Sequence, residues 1–342
     1  MANITSDRLI SKIQQVDFAF KNTPVVKIDI IFRGRLISVY GKYEAKGFSG
    51  SCKDRMARFL ISDGIKNGDL HEGDTVIDTT SGNAGIAIAS LCSLIGINVK
   101  VFIPDWVSRE RFAALSLRNA EFVKISNDEG GFIECRKRVF ALSKKEGYYS
   151  VNQFGNPRNA IAHKETTMTE LFSTLDLIGV SPEVFVAGYG TGGTVMGACL
   201  LVNESKLPCS VHPLEPKQMP LISTGIEIKK PEMLHKLDGI VDDFVPEIID
   251  MNKLDTPVVI DEDDAIYLAR MINNIGLSFG ISSGANLLGC IKQAYESGKS
   301  VAATVFCDDS SKYYSSDLYK PLEAKEGFLS NDIKVVDITF IK

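Results

Sequence analysis

The chain has 342 residues, of which 44% are hydrophobic and 24% charged, and its formal net charge is −5. This composition is typical of a globular protein with room for about two lobes, and the acidic balance argues against nucleic acid or an anionic membrane as the main partner. No apolar run approaches the roughly 20 residues of a membrane span, and residues 1–7 lack the basic and apolar regions of a signal peptide.

The cysteines and histidines show no pattern of disulfide bonds or of a metal site. Seven cysteines are scattered along the chain without a Cys-x-x-Cys pair, and four histidines lie far apart. Most of the cysteines fall in apolar or glycine-rich runs. We therefore expect reduced cysteines that serve in packing, no metal, and a cytoplasmic location.

The first half of the chain alternates between strand and helix patterns. A weak helical pattern covers residues 8–20 and ends before the turn at 22–24. The predicted strands that follow are 25–32, 36–43, 75–78, 99–103, 121–125 and 148–151. The predicted helices between them run from the turn at 49–55 to about residue 67, over 86–94, after the cap Ser108, and over 132–145.

The second half repeats this alternation. Helices are predicted at 165–175, 195–201, 262–274 and after 282–286, and strands at 184–187, 210–214 and 301–306. Such alternation predicts parallel βαβ units whose sheets are covered by helices. Because no repeat or low-complexity linker divides the chain, two intertwined α/β lobes fit the sequence better than two separate domains.

Lys53 lies in the turn 49–55, which reads Ser-Gly-Ser-Cys-Lys-Asp-Arg and opens onto an amphipathic helix. A lysine at such a junction can point into a cleft. Burial would disfavour its ammonium form and leave an amine that can hold an aldehyde cofactor as a Schiff base. The alternative is a solvated lysine at the start of a surface helix, which is the more common case for an isolated Lys-Asp-Arg.

A glycine-rich loop at 190–194, Gly-Thr-Gly-Gly-Thr, lies between a predicted strand and a predicted helix. Glycines let the backbone approach an anion, and a helix amino terminus supplies N–H donors and a favourable dipole. A phosphate-binding loop is therefore favoured over a plain turn. It is not a Walker loop, because no Gly-Lys-Ser/Thr follows, and no acidic residue closes the next strand as in dinucleotide-binding proteins.

Three further polar stretches stand at the starts or ends of predicted elements. Residues 80–83, Thr-Ser-Gly-Asn, combine hydroxyls, an amide and free helix N–H groups, which can hold a carboxylate. Gln153 ends a strand and could add an amide donor. Ser282 and Ser283 precede a helix, where a neutral hydroxyl could face a ring nitrogen. Simple helix capping is the alternative for residues 80–83 and for the two serines.

Taken together, these stretches resemble the fold-type II family of pyridoxal-phosphate enzymes, and within it the cysteine synthase and cystathionine β-synthase group. The resemblance runs from residues 22–24 to 308–309. It implies a smaller, mobile α/β lobe at 44–155 that carries the carboxylate loop. A larger lobe, residues 1–43 and 156–342, would carry the phosphate loop. It further implies pyridoxal 5'-phosphate as cofactor, an amino acid as small-molecule substrate, and a homodimer.

The same resemblance assigns roles to individual residues. Lys53 would bind the cofactor covalently, and Ser282, with Ser283 less favoured, would face the pyridine nitrogen. A neutral serine leaves that nitrogen unprotonated, which suits β-elimination and replacement. The other implied cofactor contacts are Asn83, Gly190, Thr191, Gly192, Gly193 and Thr194. The implied contacts to the substrate carboxylate are Thr80, Ser81, Gly82 and Gln153.

The chain departs from the family pattern at three places. Residues 46–49, Lys-Gly-Phe-Ser, replace a proline-containing approach to the lysine turn, and Ala84 replaces a threonine. Asp238 stands where typical cysteine synthases carry glutamine, in an acidic segment that also holds Asp242 and Asp243. We expect Asp238 to face the site, with Asp242 as the reserve candidate, and Asp243 to lie in a solvated turn.

The resemblance implies β-replacement, in which Lys53 removes the α-proton, the β-substituent leaves and a nucleophile adds. An added carboxylate would repel hydrosulfide and could deprotonate water, which favours L-cysteine plus water giving L-serine and hydrogen sulfide. One alternative is cysteine synthesis from O-acetylserine or O-phosphoserine and sulfide, and another uses an amine nucleophile. From a different functional class, a non-catalytic relative would bind cofactor and a partner peptide.

Overall fold

The computed structural model describes residues 2–225, 235–241 and 244–341, and it contains two sheets. The strands, numbered along the chain, are β1 Val25–Phe32, β2 Arg35–Tyr43, β3 Thr75–Thr79, β4 Asn98–Pro104, β5 Glu121–Ile125, β6 Tyr148–Ser150, β7 Val184–Gly188, β8 Ser210–Pro216, β9 Val258–Ile260, β10 Val301–Phe306 and β11 Ile333–Ile341. The larger sheet has the order β11-β1-β2-β10-β7-β8-β9, and the smaller one has the order β5-β4-β3-β6.

Most neighbouring strands run parallel. All pairs of the smaller sheet are parallel, and so are the pairs that link β2, β10, β7, β8 and β9. Among the strands of the described residues, antiparallel pairing is confined to β1, which has β2 on one side and β11 on the other. Because parallel strands place their carboxyl ends at one edge, the loops that follow β3, β7 and β10 can converge on a common site.

Helices lie between and around the sheets. Their bounds are α1 Ala2–Gln15, α2 Lys53–Asn67, α3 Asn83–Ile95, α4 Arg109–Ser116, α5 Gly131–Leu142, α6 Arg158–His163, α7 Thr169–Leu177, α8 Gly193–Ser205, α9 Leu221–Thr224, α10 Glu262–Asn274 and α11 Ile281–Glu296. Helices α3, α8 and α11 are buried over most of their length, as expected for apolar helices rich in small residues. This arrangement confirms the predicted α/β class with helices covering mostly parallel sheets.

Two strands escaped the sequence analysis. Strand β9 has only three residues, and β11 is an edge strand with mostly partly exposed or exposed side chains. The first is too short for a pattern to emerge, and the second lacks a buried face that would mark it. The strands of the smaller sheet all fall within 75–150, whereas the larger sheet draws strands from both sides of that stretch.

The exact lobe boundaries, the mobility of the smaller lobe, the homodimer and the cytoplasmic location stay predictions. Within the described ranges, no helix combines the length and apolar character needed to cross a bilayer. In the same ranges, no group of three or more metal-ligating side chains comes together.

Candidate active site

One cavity collects most of the residues that the sequence analysis selected. It is lined by Lys53, Thr80, Ser81, Asn83, Gln153, Gly190, Thr191, Thr194, Asp238 and Ser282. These residues come from six separate stretches of chain, so their convergence is a property of the fold. The predicted residues Gly82, Gly192 and Gly193 belong to the loops around the cavity but do not line it.

Lys53 is the first residue of α2, and its turn is fixed by its neighbours. The buried carboxylate of Asp54 accepts hydrogen bonds from the Ser49 amide, at 2.8 Å, and from the Ser49 hydroxyl. Lys312 Nζ donates to the carbonyls of Ser49 and Gly50, at 3.2 and 2.9 Å. Burial raises the pKa of Asp54 to about 6. The Asp54 side chain therefore stabilises the turn.

Arg55, the last residue of the turn, is also occupied away from the cavity. Its guanidinium is almost fully buried, with Nε 2.9 Å from Glu44 Oε2 and Nη1 2.6 Å from Glu170 Oε1. In contrast, Lys53 makes no hydrogen bond or ion pair with any described residue, although it lines the cavity. Of the three charged residues in the turn, Lys53 is therefore the one left available for a ligand.

The loop at 190–194 is shaped by backbone that tolerates no larger residue. Gly192 has φ of +86°, and a Cβ there would lie 2.7 Å from Ile249 Cγ1. A Cβ on Gly193 would overlap Asn159 Oδ1. Because α8 begins at Gly193, its first N–H groups point out of the loop toward the cavity side of the turn. This is a cradle of the kind that holds a phosphate.

Asn159, which the sequence analysis did not select, supports this loop from below. It is fully buried, and its Nδ2 donates to Thr191 Oγ1 at 3.0 Å and to the Gln153 carbonyl at 2.8 Å. One residue thereby ties the phosphate loop to the strand end that carries Gln153. No local pattern marks Asn159, because its partners lie elsewhere in the sequence.

Asn83 takes part in a buried polar network. Its Nδ2 donates to Asp308 Oδ2 at 2.7 Å, and its Oδ1 accepts from Lys312 Nζ at 3.1 Å. The Tyr313 hydroxyl donates to the same Asp308 oxygen at 2.8 Å. Burial raises the pKa of Asp308, which is fully enclosed. The network fixes the Asn83 amide plane and leaves its second N–H free for a ligand.

The loop at 80–83 closes on itself at the amino end of α3. Thr80 Oγ1 accepts hydrogen bonds from the amides of Gly82, at 2.9 Å, and Gly85, at 3.0 Å. The hydroxyl proton of Thr80 stays available, as does the Ser81 side chain that lines the cavity. Gln153 Nε2 donates to the Thr79 carbonyl at 2.7 Å, which orients its amide at the edge of the same loop.

The two candidate serines differ in their surroundings. Ser283 is fully buried, its hydroxyl donates to the Asp308 carbonyl at 3.1 Å, and it does not line the cavity. Ser282 lines the cavity and is 5% exposed. One helical position separates a side chain that faces the ligand space from one that packs against the network. The placement favours Ser282 as the residue that faces a cofactor ring.

Asp238 reaches the cavity together with a residue that the sequence analysis missed. Its Oδ2 lies 3.2 Å from Nη2 of Arg111, a residue of α4. The Arg111 side chain is 4% exposed and that of Asp238 is 39% exposed. Arg111 Nη1 also donates to the Ser81 carbonyl at 2.9 Å, and its guanidinium lies over the Tyr313 ring. Asp242 and Asp243 lie outside the described residues.

Comparisons with known proteins find a family model and relatives that match most of the chain. The family model described as pyridoxal-phosphate dependent enzyme matches residues 16–308. A cysteine synthase of Staphylococcus aureus (strain N315) is 33% identical over 301 residues, which cover 87% of this chain and 94% of that protein. Cysteine synthase B of Campylobacter jejuni is 30% identical over 306 residues, with 90% and 98% covered.

Solved structures give the same picture. A hydrogen sulfide-producing enzyme from Fusobacterium nucleatum superposes with a TM-score of 0.92 at 33% identity, covering 97% of this chain and 99% of that one. An O-ureido-L-serine synthase superposes with a TM-score of 0.79 at 28% identity, covering 91% and 96%.

Proposed function

The chain belongs to the pyridoxal-phosphate dependent enzyme family, and we propose that it replaces the thiol of L-cysteine by water, giving L-serine and hydrogen sulfide. Its relatives make it a cysteine synthase-like enzyme of β-replacement that uses pyridoxal 5'-phosphate. The observation that carries the choice of water is the Asp238 carboxylate, which lines the cavity that also contains Lys53.

The residues around the cavity fit pyridoxal 5'-phosphate. The glycine cradle at 190–194 suits its phosphate, Ser282 suits its ring nitrogen, and the free N–H of Asn83 suits its ring oxygen. Lys53, without a partner among the described residues, would hold its aldehyde carbon. When bound, the cofactor supplies an electron sink that eases loss of the α-proton and then of the β-substituent.

Lys53 would also move a proton. When its Nζ is free, Lys53 would accept the proton from the substrate Cα and act as general base. Asp54 and Arg55 would not compete with Lys53 for the substrate, because Asp54 is paired within the turn and Arg55 is paired away from the cavity. The turn therefore delivers one mobile amine on a rigid support.

The substrate carboxylate would rest on the loop 80–83. The hydroxyls of Thr80 and Ser81, the free N–H groups at the start of α3 and the Gln153 amide all border this part of the cavity. An anion there gains from the helix dipole as well as from hydrogen bonds. Asp238, Gly239 and Ile240 line the same cavity as this loop and Lys53.

Asp238 would act on the incoming nucleophile. A general base has to reach a water within about 3 Å, and a side chain that is 39% exposed has access to solvent. Its negative charge also disfavours an incoming hydrosulfide in a site of low dielectric constant. Arg111 contacts the Asp238 carboxylate through one guanidinium nitrogen and the Ser81 carbonyl through another. Asp238 is therefore held beside the loop 80–83.

A structural relative supports the release of sulfide. The neighbour with the TM-score of 0.92 is named a hydrogen sulfide-producing enzyme, and a second structure of it is of an aspartate-to-asparagine mutant. The curated relatives support the alternative, because they are named cysteine synthases. For that reaction the substrates would be an activated serine ester and sulfide.

Two assays separate these functions, one with L-cysteine alone and one with O-acetylserine and sulfide. The purified holoenzyme is incubated with L-cysteine alone in water enriched in ¹⁸O, and sulfide, serine and pyruvate are measured over time. We expect sulfide and serine in equal amounts, with ¹⁸O in the serine hydroxyl. Pyruvate without serine would mean elimination only. Absence of serine, together with cysteine formation from O-acetylserine and sulfide, would replace the proposal by cysteine synthase.

A further inference from the structure

Two cysteines face each other across the entrance to the lysine turn. Cys52 immediately precedes Lys53, and Cys307 follows β10. Ser51 and Asp308 form an antiparallel bridge, and the Cys52 amide donates to the Cys307 carbonyl at 2.8 Å. Opposite residues of a hydrogen-bonded antiparallel pair have Cα atoms about 5.5 Å apart. Disulfides usually span roughly 4.4–6.8 Å between Cα atoms, so the backbone is suited to a bridge.

The two thiols also interact with each other. A hydrogen bond from the Cys307 thiol, helped by the nearby Lys53 charge, lowers the pKa of Cys52 even though burial acts to raise it. The same contact and burial raise the pKa of Cys307 well above its usual range. By contrast, burial raises the pKa of Cys135 to about 12. The Cys52 thiol therefore ionises more readily than the Cys307 thiol, whose sulfur lies 3.7 Å from the Val305 carbonyl oxygen and 3.6 Å from Asn286 Nδ2.

Both thiols belong to the wall of the active-site cavity, beside Lys53. Cys52 is 3% exposed and Cys307 is half-buried, so a reagent reaches them through the cavity. All seven cysteines are free, and Cys135, for example, is buried in a cluster with Ile77 and Phe102. The expectation that the cysteines serve in packing therefore describes Cys135 better than it describes this pair.

We propose that Cys52 and Cys307 form an oxidisable dithiol that a peroxide converts into a disulfide inside the active site. The Cys52 thiol first gives up its proton, and the thiolate attacks one peroxide oxygen. The O–O bond breaks, Cys52 becomes a sulfenic acid, and the other oxygen leaves as hydroxide, which takes up the proton released by Cys52 to become water. Cys307 sulfur then attacks the sulfenic sulfur, the S–O bond breaks, and its proton leaves with the hydroxyl as a second water. The two thiols lose two electrons, and the peroxide gains them.

The disulfide would fasten the residue before Lys53 to the end of β10. Both ends of this bond border the space into which Lys53 points, so a covalent link restricts the turn that carries the amine. We therefore expect oxidation to switch off β-replacement and reduction to restore it. The modification does not depend on which nucleophile the enzyme uses, so it stands apart from the proposed reaction.

Mass spectrometry of the holoenzyme tests the pair directly. The enzyme is reduced, freed of reductant, treated with stepwise additions of hydrogen peroxide, alkylated under denaturing conditions and digested without reduction. We expect a mass loss of about 2 Da, five alkylated cysteines instead of the seven in the chain, and one cross-linked peptide pair containing Cys52 and Cys307. Activity should fall in proportion to the cross-link and return with dithiothreitol.

Variants show whether the link is specific. In Cys52→Ser and Cys307→Ser the cross-link should disappear, whereas the matched control Cys135→Ser should form it as the wild type does. The mapping of the wild type alone suffices if a variant fails to fold. Oxygen added to Cys52 without a cross-link, a cross-link to another cysteine, or inactivation with all seven thiols still alkylated would each overturn the proposal.

Discussion

The two ends of the active-site cavity are built in different ways. At the phosphate end, the loop 190–194 depends on glycines whose Cβ positions are blocked, and buried Asn159 holds the loop from below. At the other end, called the reaction end below, the Asp238 side chain is 39% exposed. Its carboxylate is restrained by Arg111, a residue of α4 next to the smaller sheet. The phosphate end is thus held by backbone geometry, and the reaction end by an ion pair between two side chains.

This difference teaches where specificity can change. A backbone cradle binds the same phosphate whatever the substrate, so its sequence has little freedom. An ion pair between two chain segments can be replaced residue by residue without disturbing the cradle. The identity of the reaction should therefore depend on Asp238 and Arg111, and cofactor affinity on the loop 190–194. Five substitutions test this division, from the largest expected effect to the smallest.

Lys53→Ala should abolish function at both ends, because Lys53 serves the cofactor and the α-proton. We expect the rate of sulfide release from cysteine to fall by about 10⁴-fold or more, the upper end of the contribution of one acid–base group. Borohydride reduction followed by mass spectrometry should find the cofactor attached to the wild type and not to the variant. Covalent cofactor on Lys53→Ala after reduction would show that another amine carries it.

Asp238→Asn should change only the reaction end. The amide keeps the shape of the side chain but cannot accept a proton from water, so serine formation should fall by about 10²–10⁴-fold. Sulfide release in the first turnover and cofactor content should stay as in the wild type. Rapid-quench measurements of sulfide and serine separate the two steps.

A matched control removes an equivalent ion pair far from the cavity. Asp332 Oδ2 lies 2.6 Å from Arg33 Nε on the surface, and Asp332→Asn should leave serine formation unchanged. Asp242→Asn, measured alongside, tests the reserve candidate. Serine formation by Asp238→Asn at the wild-type rate would remove Asp238 as the base.

Gly192→Val should affect only the phosphate end. The residue has φ of +86°, which disfavours any side chain, and its Cβ would also press on Ile249 at 2.7 Å. We expect the Kd for cofactor to rise about 10–100-fold, equivalent to about 1.4–2.8 kcal/mol, with the circular dichroism spectrum retained. Gly179→Val is the control, because Gly179 has φ of +69° but open space around it. Equal cofactor affinity of both variants would mean that the loop is only a turn.

Arg111→Lys should weaken the restraint on Asp238 while keeping a positive charge beside it. A lysine keeps the charge but lacks the planar fork that reaches Asp238 and the Ser81 carbonyl at once. We expect serine formation to fall about tenfold, a loss of about 1.4 kcal/mol of transition-state stabilisation, with a larger share of pyruvate. Arg118→Lys is the control, since Arg118 lies just beyond the end of α4, outside the cavity wall, and donates to the Ala114 carbonyl and the Ser90 hydroxyl. An unchanged serine-to-pyruvate ratio would limit Arg111 to a structural role.

The sequence predicted the parts of the site that are local. The phosphate loop and the lysine turn each lie within a few consecutive residues, so the loop could be selected from its glycines, and the lysine once the family resemblance was added. Buried parallel strands such as β7 are continuous apolar runs, which made the alternation of strands and helices clear.

The network was not predicted, because its contacts join distant parts of the chain. Asn83 and Asp308 are 225 positions apart, and Arg111 meets Ser81 across 30. The local sequence around Asp308 does not show that this residue is a buried hydrogen-bond acceptor and not a surface acid. Nor does it show that Tyr313 is its donor. The choice between Ser282 and Ser283 likewise depended on the orientation of α11, which the sequence left open.

Tyr313→Phe should have the smallest effect on catalysis, because Tyr313 contacts Asp308 and Arg111 but does not line the cavity itself. Its hydroxyl donates to Asp308, which holds Asn83, and its ring lies under Arg111. Removing the hydroxyl leaves a buried carboxylate short of one donor, which should lower the free energy of unfolding by about 1–3 kcal/mol. Serine formation should change only a few-fold, because Asn83 and Arg111 keep their other contacts. Tyr149→Phe, which removes a hydrogen bond to the Leu60 carbonyl, is the control and should leave cofactor affinity untouched. A loss of serine formation in Tyr313→Phe as large as that in Asp238→Asn would show that Tyr313 positions Arg111 and Asp238 and does more than stabilise the fold.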